Sequence, residues 1–145
     1  MRIRTPAVLA LGGALALMGS GMAMAKGPLV AVLRGGNEVP SGDPDGQGAA
    51  GIVLKPGKVC FGLVATDIGA PIAAHIHKGA AGTAGDVVVD FAPKFSKGPW
   101  FAAAACVPAK NSVINAILKN PAGYYVNIHT KAFPGGAVRG QLSAK

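Results

Sequence analysis

The chain is 145 residues long, half of them apolar, 14% charged and 6% aromatic, a size and mix that suit one compact domain with a hydrophobic core. Glycine and proline together make up about 23% of it, short of the level that signals disorder, and neither a collagen period nor a coiled-coil heptad is present. The net charge of +8 comes from basic residues scattered singly, with almost no aromatics among them, so a nucleic-acid surface is not indicated, while weak attraction to anionic cell-surface polymers is compatible with the charge.

Residues 1–25 read as an export signal. Arg2 and Arg4 form a basic start, Ala7 to Met18 an apolar stretch, and Ala23-Met24-Ala25 a cleavage site. The apolar stretch is too short for the roughly 20 residues that span a bilayer, so no membrane span is expected after cleavage. The mature domain then comprises residues 26–145, with a net charge of +6 and a secreted, periplasmic or cell-envelope location. In that compartment the two cysteines, Cys60 and Cys106, are expected to form one disulfide; free thiols or metal ligation are the alternatives. Closing a loop of about 46 residues would stabilise the fold by roughly 4 kcal/mol.

Short strands separated by turns fill most of the mature chain, the spacing of a sandwich or barrel. Leu29–Leu33 opens the series, followed by a long turn through Pro40-Ser41-Gly42-Asp43-Pro44-Asp45-Gly46. Gly51–Leu54 and Val59–Ala65 flank a hairpin at Lys55-Pro56-Gly57-Lys58. Ile72–His77 and Asp86–Phe91 flank a loop holding Gly79, Gly82 and Gly85. Residues 93–105, with an alanine run, show no period and read as loop with some strand. Ser112–Lys119 carries Val113, Ile114, Ile117 and Leu118 on one helical face, with Asn111 or Ser112 as N-cap and Pro121 as stop. This helix is expected to cross between two sheets. Tyr124–Thr130 and Ala137–Leu142 form a last hairpin about Phe133-Pro134-Gly135-Gly136, for at least seven strands in all.

All three histidines, His75, His77 and His129, fall in these strands. Side chains alternate along a strand, so His75 and His77 share one face while Ala74 and Ile76 take the other. On the later strand Tyr125, Asn127 and His129 share the polar face opposite Tyr124, Val126 and Ile128. If the two strands are neighbours, three imidazoles converge on a site suited to copper or zinc. Metal–nitrogen bonds near 2 Å require the ligating nitrogens to lie within about 3 to 5 Å of one another. The competing reading is a hydrogen-bonded structural or recognition patch in which Asn127, Arg139 and Gln141 tie the imidazoles to Glu38. No acid stands beside the histidines in sequence, which leaves backbone carbonyls to orient them.

Other patterns carry less. The three glycines of the 79–85 loop lack the order of a phosphate or dinucleotide cradle, Asp43-Pro44-Asp45-Gly46 lacks most of a calcium loop, and no serine triad or carboxylate pair argues for hydrolysis.

Four segments resemble the CHRD domain, named from chordin: Gly36-Asn37-Glu38-Val39-Pro40, Ala73-Ala74-His75-Ile76-His77-Lys78-Gly79, Tyr124-Tyr125-Val126-Asn127-Ile128-His129-Thr130, and Phe133-Pro134-Gly135-Gly136-Ala137-Val138-Arg139-Gly140-Gln141-Leu142. They stand in the family's order across roughly Leu29–Leu142. The resemblance implies an exported all-β domain of immunoglobulin-like or barrel type, of the kind found singly in bacterial proteins. The H-x-H strand also resembles that of Cu/Zn superoxide dismutase, a Greek-key β-sandwich. In that likeness His129 matches a late copper ligand and Arg139 an anion-guiding arginine, while a fourth copper histidine and the zinc set are missing. The leading reading is therefore a binding module without catalysis, holding copper or zinc at His75, His77 and His129. The alternatives are a dismutase-like copper redox protein and an envelope domain that engages a surface protein or glycan without metal.

Overall fold

The computed structural model describes residues 27–145; the export signal expected over 1–25 lies outside the described residues. The chain folds as β1 (Leu29–Arg34), β2 (Gln47–Lys55), β3 (Lys58–Thr66), β4 (Pro71–Lys78), β5 (Val87–Asp90), β6 (Trp100–Pro108), α1 (Asn111–Lys119), β7 (Tyr124–Thr130), β8 (Val138–Gln141) and β9 (Ser143–Ala144). The strands pair antiparallel in one continuous sheet, ordered β5-β4-β7-β8-β1-β2-β3-β6, with β9 added alongside β1. This all-β sheet is nearly closed, the barrel form of the expected architecture. The two end strands do not bond to each other, but Phe91, just past β5, stacks on Phe61 of β3 at 4.4 Å. The connection to β6 then bonds that strand's free edge, Ser96 N–H to the Ala102 carbonyl at 2.8 Å.

Strand alternation generates the interior. In β1 the buried positions are Leu29, Ala31 and Leu33, and in β3 Val59, Phe61, Leu63 and Ala65, each two residues from the next. Ala74 and Ile76 of β4 and Val126 and Ile128 of β7 join the same core, which places their alternate neighbours outside the barrel. The β2–β3 hairpin turns on Pro56-Gly57, where Gly57 takes a φ of 75° that a side chain would resist.

Two expectations change. Residues 100–108 form a full strand, paired residue for residue with β3; an alanine run has little intrinsic strand preference, and this one is held by its partner and by the Cys60–Cys106 disulfide, which joins directly opposed positions. The helix begins on Asn111 with Lys110 as its N-cap and no side-chain cap, because the Asn111 Oδ1 instead accepts the Gly57 N–H at the β2–β3 turn, 2.7 Å away. Ile114 and Ile117 seal the core there. The helix carries the chain from one end of the single sheet to its far half, not between separate sheets.

Candidate metal centre

Strands β4 and β7 are hydrogen-bonded neighbours, with His75 opposite Asn127, His77 opposite Tyr125, and Ala73 opposite His129. Same-face side chains at these positions meet on the outside of the barrel. His75 Nδ1 lies 2.9 Å from His129 Nε2, and one ligating atom from each of the three histidines falls within 4.8 Å of the others. His75, His77 and His129 are thus brought together as the alternation of the two strands requires.

Two of the rings are oriented by backbone carbonyls. His77 Nδ1 donates to the Gly85 carbonyl at 2.8 Å and His129 Nδ1 to the Pro134 carbonyl at 2.9 Å. In His77 this bond puts the ring proton on Nδ1 and leaves Nε2 with a free lone pair. For His77 that Nε2 is buried and has no hydrogen-bond partner. Asn127 Oδ1 lies 3.0 Å from His129 Nε2, so each nitrogen of that ring faces an oxygen. Burial pushes the pKa of His75 and of His129 below the usual histidine range, and for His75 the neighbouring His129 adds to the shift. Neutral imidazoles are the form that binds a metal.

An acid does stand beside the cluster, contrary to the sequence expectation. Asp90 of β5 pairs with His75, and its Oδ1 is 3.7 Å from His75 Nε2. The same oxygen accepts the Ala92 N–H at 2.8 Å, which holds the carboxylate in a tight turn where Ala92 takes a φ of 39°. Asp90 is 65% exposed and His75 18%, so the cluster opens to water on the β5 side. Sequence spacing hides this pair, because fifteen residues and a loop separate its members and only the β4–β5 register joins them.

The 79–85 loop is clamped over the other side. Arg139 is buried, 1% exposed, and its guanidinium donates to the carbonyls of Thr83 at 2.7 Å and Ala80 at 2.8 Å and to Gln141 Oε1 at 3.0 Å. Gln141 in turn donates to the Gly79 carbonyl. The guanidinium lies 3.4 Å over the Tyr125 ring, and His77 stacks on the same ring with planes 4° apart. Since β4 and β8 flank β7, the histidine and the arginine reach Tyr125 from opposite sides. The Tyr125 hydroxyl accepts the Gly85 N–H at 3.2 Å, fixing the residue whose carbonyl orients His77. A Cβ on Gly85 would collide with the Lys78 carbonyl, so the loop needs glycine to approach this closely. The loop offers carbonyls inward, not the amides a phosphate cradle would need.

Glu38 follows a 3-10 turn at Gly35–Asn37 and is tucked against the β7–β8 connection, 6% exposed, with Oε1 lacking a partner. Burial raises its pKa to about 7, against the opposing effects of Arg139, Asn127 and the Val39 backbone. Arg139 and Gln141 thus bond to each other, and Asn127 reaches His129 and Glu38. Sequence reading assigned Tyr125 to the right face but missed its part between His77 and Arg139.

A family model described as the CHRD domain matches residues 29–142, most of the chain and all of its strands but β9. No curated protein and no solved structure matches it. The matched span includes all three histidines and the residues that orient them, and by that match the chain belongs to the CHRD-domain family.

Proposed function

We propose that the protein is an exported CHRD-domain binding module in which His75, His77 and His129 hold one transition-metal ion, copper or zinc. The observation that carries this reading is the buried Nε2 of His77, left without a partner while its Nδ1 is committed to a backbone carbonyl. Leaving a buried nitrogen unpaired costs free energy, and a metal ion within reach of the other two imidazoles supplies the missing partner. Such an ion would act as a Lewis acid with an open position for an outside ligand. His75, His77 and His129 would be its protein ligands, Gly85 and Pro134 would orient two of them through Nδ1–H, and Asp90 would face the third. Export is supported by the disulfide, which persists in oxidising compartments. Among the described residues no helix is long and apolar enough to cross a membrane.

The dismutase-like alternative draws no support from Arg139, whose guanidinium is buried and committed to loop carbonyls instead of facing a solvent anion. Calorimetric titration with Cu²⁺ and with Zn²⁺ tests the metal reading. One ion per chain is expected for the wild type, with His75→Ala and His77→Ala each weakening binding at least about 100-fold. Equal heats from wild type and both variants would overturn it and favour recognition of a surface protein or glycan by the same residues.

A further inference from the structure

The outer surface of β1, β2, β3 and β6 carries no charge over three successive rows of side chains. The strand registers set Val32, Ala49, Val64 and Ala102 side by side in one row. The rows beside it hold only valine, glycine, alanine and the Cys60–Cys106 disulfide. Val32 is 62% exposed and Val64 44%, so nothing among the described residues covers this field. From strand spacing and rise it measures on the order of 300 Å². An apolar field of that size matches the largest patch of an ordinary monomer, which often serves a function.

Basic side chains stand along its border. Lys55 and Lys58 face each other at the hairpin end, Lys94 lies beyond the β6 edge, and Arg34 and Trp100 stand in the row that closes the other end. At the Arg34 end two acids, Asp45 and Asp67, line a pocket with Arg34, and Asp67 accepts the Thr66 hydroxyl, so the cationic character is concentrated at the lysine end. A second copy is a poor occupant: the apolar field is well short of the roughly 800 Å² per partner of a stable interface, and two such faces would oppose lysine to lysine. A flat apolar field with a cationic rim and a tryptophan at its margin complements a plane that is anionic at its surface and apolar beneath.

We propose that this face docks the protein on an anionic lipid surface. The lysines contact headgroup phosphates while Trp100 and the valines settle at the acyl boundary. In the nearly closed sheet, β4 and β7 lie across the barrel from β2 and β3. Docking by this face therefore turns the histidine cluster toward the aqueous phase. Docking by this face leaves metal binding at the histidines unaffected.

Trp100 is the sole tryptophan and reports directly on the contact. The protein is mixed with vesicles of 30% phosphatidylglycerol in phosphatidylcholine, and with phosphatidylcholine alone, and followed by tryptophan emission and co-sedimentation. A blue shift and co-sedimentation are expected with the anionic vesicles only, weakening about 10-fold between 50 mM and 300 mM salt. Val32→Asp/Val64→Asp and, separately, Lys55→Glu/Lys58→Glu should each reduce binding at least about 10-fold, whereas His77→Ala binds like the wild type. No binding to anionic vesicles, or undiminished binding by both surface variants, would overturn the proposal. So would a concentration-dependent dimer that the valine variant disperses, because the face would then be a protein interface.

Discussion

Gly136 leaves the space in which the Glu38 carboxyl lies. A Cβ there would sit 2.2 Å from Glu38 Oε1, on a backbone whose φ of 138° already disfavours a side chain. Gly136→Ala should therefore destabilise the fold by about 1–3 kcal/mol, read as a lower midpoint in urea unfolding. The Glu38 carboxyl itself makes stability depend on pH. Its folded pKa, about 7, lies above its unfolded value, so its contribution is complete at pH 4.5 and below and is lost as pH rises through 7. Allowing for the water that reaches it, the wild type should lose about 2 kcal/mol between pH 5 and pH 8 relative to Glu38→Gln, measured by urea unfolding at both pH values. Asp90 is the residue whose effect falls on the metal: an acceptor near His75 Nε2 favours the proton there and frees Nδ1 toward the other two rings. Asp90→Ala should weaken copper or zinc binding about 10-fold, less than loss of a histidine does, with no change in thermal midpoint of the metal-free protein beyond that of its turn.

Among the elements, β7 shows why alternation locates a face without describing it. The sequence marks Tyr125, Asn127 and His129 as polar and outward, and in a simple barrel strand that face would meet water. Every residue of β7 is buried instead: the 79–85 loop, pinned by Arg139 and Gln141 of β8, folds over Tyr125, while Glu38 meets Asn127 and the Pro134 carbonyl meets His129. The contacts that pin the loop to β8 span more than fifty residues and leave no local trace. In β6 the failure is the reverse: the alanine run gives only some strand signal with no period, and β3 supplies a partner along its whole length. The disulfide between these two strands closes a loop of 46 residues, and its reduction should cost about 2–5 kcal/mol, visible as a lower melting temperature with a thiol reductant. Metal affinity of the folded reduced protein should be unchanged, since Cys60 and Cys106 lie on β3 and β6, neither of which carries a histidine or pairs with a strand that does.

For the whole molecule, a ligand that binds only the folded state adds to stability in proportion to the logarithm of its excess. Copper or zinc at 100 times its dissociation constant should raise stability by about 2.7 kcal/mol, measured as an upward shift of the melting temperature by scanning calorimetry and absent in His77→Ala. The all-β class, the hairpins at Lys55–Lys58 and Phe133–Gly136, the helix ahead of Pro121 and the shared face of His75 and His77 were all legible along the chain. Each depends on neighbours within a few residues, on the two-residue repeat of a strand, the periodicity of a helix or the conformational limits of glycine and proline. Closure of the sheet, the arrival of His129 beside His75, and the seating of Asp90, Gly85 and Pro134 around the imidazoles were decided only by tertiary structure. Strand order and register are settled by which apolar faces fill a common core, and that choice is made by the whole chain at once.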